Sequence, residues 1–191
     1  MNKITKIQKA IKFATKTHEV YQKQKRKGKD ISYITHPLAV GVILASVTND
    51  EDIICAGILH DTIEDSVSEK KVDYKMIEER FSKRVADLVL SVTEQDKDLS
   101  WEERKIEAIE HINKMTNDEL LVKSGDAVAN LSELVDDYLR NGDSIFSNFN
   151  APKEKKLDND LNVLNAILDR WSGNPFKEKI VELRSHISKM L

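Results

Sequence analysis

Cysteine, proline and glycine are all scarce in this chain, which has one, three and six of them in 191 residues, with aromatic residues at 6%. The lone thiol, Cys55, rules out an internal disulfide and makes a reducing, cytoplasmic setting the simplest expectation. So few turn-forming residues, beside 33% charged ones, argue against strands and tight turns and in favour of helices. Long apolar runs are missing too, which leaves nothing to span a bilayer. The first seven residues, threaded with Lys3 and Lys6, lack the unbroken apolar stretch of a signal peptide. Nor does one sign of charge dominate. At a net −3 nothing draws the whole chain toward nucleic acid or a membrane surface, so an anionic partner has to be met by a local patch. Repeats, low-complexity tracts and linkers are absent, and residues 1–191 are expected to form one all-α domain, a helical bundle.

What is present is helical periodicity. Ile4, Ile7, Ile11, Ala14 and Tyr21 predict an amphipathic first helix with His18 on its apolar stripe. Residues 23–29 are the densest basic run and, with Gly28, read as a loop. Thr35 is expected to cap a second helix with His36 and Pro37 in its first turn, running to about Val47. Asn49-Asp50 open a third, which carries the apolar run of residues 53–59 down to His60-Asp61. Phe81, Val85, Leu88, Val89 and Val92 mark another. Ser100 with Glu103 and Thr116 with Glu119 are capping boxes, the second opening a long helix through Leu120, Leu121, Val128, Leu131 and Leu134 to a stop near Asn141-Gly142. Leu157, Leu161, Leu164, Leu168 and Trp171 define the next, and Asn174-Pro175 start a last one with Ile180, Leu183, Ile187 and Leu191 inward. Trp101 and Trp171 are expected to anchor their helices, and His111 and His186 to lie on the surface.

An imidazole and a carboxylate at the end of a buried helix are costly unless satisfied, and a divalent cation satisfies both. His36 at a helix start, His60-Asp61 at a helix end and Asp126 complete a mixed nitrogen and oxygen set without thiolate. Such a set suits Mn2+ or Fe2+ and tolerates Zn2+, with open positions for water. Asp126 supports this because Leu121-Val122 before it and Val128-Ala129 after it leave that helix little face for water. A metal so held makes hydroxide available near neutral pH, the requirement for hydrolysing a phosphate ester. Glu64 falls one turn beyond His60 if the helix continues, where it can handle the proton of the attacking water with Asp65 assisting. Singly, each feature has a plainer explanation: a packed histidine, a solvated carboxylate, a solvated basic face. His18, on an apolar stripe, is expected to be a packed, hydrogen-bonded residue.

Tyr33-Ile34-Thr35-His36-Pro37, His60-Asp61-Thr62-Ile63-Glu64-Asp65 and Lys123-Ser124-Gly125-Asp126-Ala127-Val128-Ala129-Asn130-Leu131, in this order, resemble the HD-domain superfamily. More closely they are similar to the small, hydrolase-only alarmone hydrolases of the RelA/SpoT type, from about Phe13 to about Leu168. The resemblance implies a helical bundle with no sheet at the site, in which His36, His60, Asp61 and Asp126 hold one Mn2+ and Glu64 and Asp65 act on the water. It implies that Asn130 contacts the substrate's ribose or 3′ phosphates. The implied reaction removes pyrophosphate from the 3′ position of guanosine 3′,5′-bis(diphosphate), leaving GDP or GTP. Because the basic run lies just before His36, the polyphosphate would fall near Lys25, Arg26 and Lys27, with Arg26 stacking on a purine or forking to phosphate; Lys123 is a further cation. Gly125 and Ala127 depart from the usual motif, the glycine leaving space beside the metal. Two other readings therefore stay open: an HD phosphohydrolase for another nucleotide (a nucleoside monophosphate, a cyclic nucleotide or NADPH), and a catalytically silent nucleotide-binding module. With the chain ending at Leu191, no nucleotidyl-transfer domain of the long relatives is expected.

Overall fold

The first helix, α1 (Lys6–Thr15), opens on a capping box in which Thr5 Oγ1 accepts from the Gln8 amide at 3.2 Å and Gln8 Oε1 accepts from the Thr5 amide at 2.9 Å. The structure is a computed structural model that describes residues 5–93 and 99–191, so Ile4 lies outside the described residues. The helix expected to reach Tyr21 changes pitch instead. From Lys16 to Gln22 it is wound as a π-helix, and it stops at Lys23, whose φ of 52° is left-handed. Thr17 Oγ1 donates back to the Phe13 carbonyl at 3.1 Å, a side-chain bond that competes with the regular ladder and accompanies the wider turn. His18, in this segment, is fully buried. Residues 23–29 lie in a loop as expected, and the loop runs on to residue 34, folded back by a bridge between Lys25 and Ser32 and turned at Gly28, whose φ is +68°. No strand forms among the described residues.

Helices α2 (Thr35–Ala45), α3 (Glu51–Leu59) and α8 (Asn117–Asn141) pack on one another and carry much of the core. Every residue of α3 from Ile53 to Leu59 is buried, so an uninterrupted apolar run suits a helix here: it has no solvent face. Asp50 caps α3, its carboxylate accepting from the Asp52 amide at 2.9 Å. Glycine sets how closely α2 and α3 approach. A Cβ at Gly57 would lie 2.3 Å from Leu44 Cδ1, and one at Gly41 2.5 Å from Ile58 Cγ1. Gly125 of α8 meets the same Leu44, 3.0 Å from where its Cβ would stand. It therefore makes room for α2 and not, as expected, for a metal.

The remaining elements are α4 (Thr62–Asp65), α5 (Tyr74–Arg80), α6 (Lys83–Val92), α7 (Trp101–Ile112), α9 (Lys153–Arg170) and α10 (Lys177–Ser188). Both expected capping boxes form, at Ser100 and at Thr116, and α8 ends at Gly142 with φ 60°. Three local expectations are corrected. Thr35 is the first residue of α2 and not its cap; its hydroxyl donates to the Ser32 carbonyl at 2.8 Å, and Ile34 precedes it. Helix α10 starts at Lys177, beyond Asn174-Pro175: Asn174 makes a tertiary contact, donating to Ser124 Oγ of α8 at 2.7 Å, while its side-chain oxygen accepts locally from the Phe176 amide at 2.8 Å. Leu191 is 56% exposed, and Met190 takes the inward position. Among the described residues no helix is long and apolar enough to cross a membrane.

Candidate metal centre

The crossing of α2, α3 and α8 brings three sequence-distant side chains to one point. His36 enters from the first turn of α2, His60 from the residue that ends α3, and Asp126 from α8. His36 and His60 are each 4% exposed. Their Nε2 atoms face each other at 3.3 Å, and Asp126 Oδ1 lies 3.2 Å from His36 and 3.6 Å from His60. The ligand atoms of these three residues all lie within 4.8 Å of one another. Asp61 joins from the break after α3, with Oδ2 2.9 Å from His60 Nε2 and 3.8 Å from His36 Nε2. The break is built locally. Thr62 Oγ1 donates to the Leu59 carbonyl at 2.7 Å, and the Asp65 amide donates to the Asp61 carbonyl at 2.9 Å, restarting the chain as α4. Helix α3 thus ends at Leu59, so the condition of a continuing helix is not met, and Glu64 and Asp65 sit on the short α4.

The surrounding bonds orient these donors. His60 Nδ1 lies 2.8 Å from the Gly57 carbonyl, which assigns the proton to Nδ1 in the neutral ring and leaves the Nε2 lone pair toward the cluster, the posture of a metal ligand. Tyr33 donates its hydroxyl to Asp61 Oδ2. Asn130 Nδ2 donates to Asp126 Oδ1 at 2.7 Å, and Lys123 Nζ to Asp126 Oδ2 at 3.2 Å. Burial drives the His60 pKa down, but Asp61 and Asp126 outweigh it and hold the ring up at about 9. Burial likewise works against the charged Asp61 and Asp126, and the neighbouring His60 and Lys123 respectively reverse it, keeping both carboxylates below their usual range. His36, His60 and Asp126 form the close cluster, with Asp61 beside the two imidazoles, and this nitrogen and oxygen set fits a divalent cation of the Mn2+, Fe2+ or Zn2+ kind.

The centre opens on a cleft of about 1300 Å3 that Glu64, Asp65, Lys123 and Asn130 also line. The basic loop forms part of its rim, but its cations do not all stand ready. The Arg26 side chain is 13% exposed and is held by α8, donating to Glu133 Oε2 from Nε at 3.1 Å and to Asn130 Oδ1 from Nη2 at 2.9 Å. Lys29 pairs with Glu133 and Asp137, each at 2.5 Å. Lys25 pairs with Asp30, and Lys27 lies 5.8 Å from the centre of the Phe149 ring. His18 is packed as expected, 3.0 Å from Gln22 Oε1 through Nδ1 and 5.2 Å from the Tyr33 ring, with its pKa lowered by burial.

Several contributors escape a reading of the sequence. Tyr33 stands in the quoted His36 motif, yet nothing local pairs it with Asp61. Glu133 follows Asn130 at i+3 and Asp126 at i+7, a helical spacing that could have placed it on the same face. Trp101, expected to anchor a helix, lines the cleft together with Arg104 and Lys105.

A family model described as HD domain matches residues 10–153. The guanosine-3′,5′-bis(diphosphate) 3′-pyrophosphohydrolase MESH1 of Xenopus tropicalis is 34% identical over 127 residues, 65% of this chain and 67% of that protein. The guanosine-3′,5′-bis(diphosphate) 3′-pyrophosphohydrolase of Aquifex aeolicus is 45% identical over 87 residues, 46% of this chain, and the match spans only 11% of that longer protein. Among solved structures, one described as a metazoan ortholog of SpoT that hydrolyzes ppGpp superposes with a TM-score of 0.79, covering 100% of this chain and 99% of that one. At 23% identity this last likeness speaks for the fold alone.

Proposed function

The chain belongs to the HD-domain family, and from that premise we propose that it hydrolyses guanosine 3′,5′-bis(diphosphate) or its 5′-triphosphate form, releasing pyrophosphate from the 3′ position and leaving GDP or GTP. One observation carries this reading: His36, His60 and Asp126 cluster, with Asp61 beside the two imidazoles, at a cleft whose walls also present lysines and arginines. Relatives named as 3′-pyrophosphohydrolases support the same substrate.

In this reading His36, His60, Asp61 and Asp126 hold Mn2+, with Fe2+ or Zn2+ as chemically suitable substitutes. A divalent ion held by these residues would act as a Lewis acid toward water near neutral pH. Tyr33 orients Asp61 through its hydroxyl, and Lys123 and Asn130 orient Asp126. Glu64 and Asp65 line the same cleft and take the proton of the attacking water. Lys25, Arg26, Lys27 and Lys123 meet phosphate oxygens, and Asn130 meets the ribose or 3′ phosphates. A phosphate reaching Arg26 replaces Glu133 as its partner. We take residues 1–191 as one domain, since the buried apolar side chains form one cluster, and a cytoplasmic setting from the single buried cysteine. Nucleic acid and membrane have no part in this reading.

A second substrate, another nucleotide such as a nucleoside monophosphate, a cyclic nucleotide or NADPH, is favoured by the engagement of Arg26 with Glu133 and Asn130 and not with an open base site. The test is pyrophosphate release from guanosine 3′,5′-bis(diphosphate) by metal-stripped protein with and without Mn2+, beside His60→Ala. Turnover that requires both Mn2+ and His60 is expected. Absence of turnover with metal bound, while another nucleotide is hydrolysed, overturns the substrate and keeps the chemistry. Glu64→Gln is expected to lose at least a hundredfold in kcat, the low end for a general base, while binding the metal unchanged. A silent binding module would show no loss.

A further inference from the structure

A second pocket, of about 310 Å3, opens where the π-wound segment meets the chain that follows α4 and the end of α5. Phe13, Val72 and Met76 give it an apolar floor, and Lys16, Lys70, Lys71 and Arg80 stand around it. Against these four cations the lining holds one carboxylate, Glu69, in a chain whose overall charge is −3. None of its residues lines the cleft of the metal centre.

Among the described residues these four cations have no ion-pair partner, whereas several cations elsewhere do. Arg84 bridges Asp50 and Asp118, Lys29 bridges Glu133 and Asp137, and Lys6, Lys123, Lys153 and Lys156 each hold a carboxylate. At the pocket, Lys16 and Lys70 rest over the Tyr21 ring at 5.4 and 5.9 Å, and Arg80 over the Phe13 ring at 5.4 Å. Lys71 donates to the Ile63 carbonyl at 3.1 Å. Ring faces and a carbonyl hold these cations only weakly, and a phosphate offers each of them a stronger, charge-assisted bond. The concentration of charge also acts on Tyr21: a hydrogen bond from Lys16, with the charges of Lys16, Lys70 and Arg80, lowers its phenol pKa.

An apolar floor beneath a ring of unpaired cations is the pairing that a nucleotide requires, a flat ring for the floor and phosphates for the rim. The volume is at the small end for ligand sites, which run from about 300 to 1,000 Å3; it suits one mono- or diphosphate nucleotide and is too confined for a lipid chain or a strand of nucleic acid. The geometry points to a second nucleotide site in this pocket, separate from the metal centre and independent of whatever reaction that centre performs.

Met76 provides a local reporter. The intact chain, labelled with 13C at its methionine methyls, would be titrated with AMP, GDP, inorganic pyrophosphate and guanosine, with Met115 and Met190 as internal controls for the fold. The Met76 signal is expected to move saturably with AMP or GDP, at concentrations at least tenfold below those needed with pyrophosphate or guanosine. Arg80→Ala and Lys70→Ala, each with Met115 and Met190 unmoved, are expected to raise the midpoint at least fivefold. The site is overturned if neither nucleotide shifts Met76, or if both variants leave the midpoint unchanged. Pyrophosphate acting at the same concentration as the nucleotides overturns the nucleotide class, since the floor would then contribute nothing.

Discussion

Tyr33 tests the centre at the scale of a single atom. Replacing it with phenylalanine removes the hydroxyl that donates to Asp61 and changes the volume little. Loss of such a supporting bond typically weakens metal affinity about 10–100-fold, so Tyr33→Phe should raise the Mn2+ dissociation constant at least tenfold in titrations of stripped protein, with the circular dichroism spectrum unchanged. An unchanged constant would mean that Asp61 is not a ligand or needs no support. Glu133→Gln removes the carboxylate that holds Arg26 and Lys29. With a partly exposed pair contributing about 1 kcal/mol at most, KM for a polyphosphate substrate should fall up to fivefold with kcat little changed. The four candidate ligands are legible in the sequence because each stands where polarity conflicts with its apolar neighbours. The partners of Arg26 and Asp61 are not, because they depend on which helix faces the loop, and that is settled only by packing.

Among the elements, the α2–α3 contact carries the most consequence for the centre, since it sets the separation of His36 and His60. Gly57→Ala would place a methyl against Leu44 Cδ1, 2.3 Å away. Overpacking of this kind costs about 1–3 kcal/mol, which for a chain of this size lowers the melting temperature by about 2–12 °C. Thermal unfolding of the metal-stripped variant checks it, and a parallel loss of Mn2+ affinity would show that the strain reaches the ligands. Elements with local causes are the ones the sequence reveals: the apolar run of α3 and the capping boxes at Ser100 and Thr116. The start of α10 is hidden because Asn174 is engaged with Ser124 of a distant helix. The pitch change after α1 is hidden because Tyr21 still falls at a helical spacing although the winding beneath it has widened.

For the molecule as a whole, stability and metal binding should respond to pH in opposite directions. In the metal-free protein the His60 pKa is raised to about 9. Its proton therefore stabilises the fold fully below its ordinary value near 6.5, and that contribution is lost as pH rises through about 9. Metal must displace the same proton, so the stabilisation that Mn2+ adds should grow over the same interval. Melting temperatures of stripped and loaded protein should diverge steadily between about pH 6 and pH 9; a constant difference would remove His60 from the ligand set. The loop carries a further consequence. Because Arg26 and Lys29 are already compensated by Glu133 and Asp137, the far field of the cleft is weak. Encounter with an anion should then proceed at the ordinary unsteered rate of about 10⁵–10⁷ M⁻¹ s⁻¹ and depend little on ionic strength. Discrimination would be exercised after contact, as one carboxylate yields its arginine to the newcomer, and would be read in how long each anion stays.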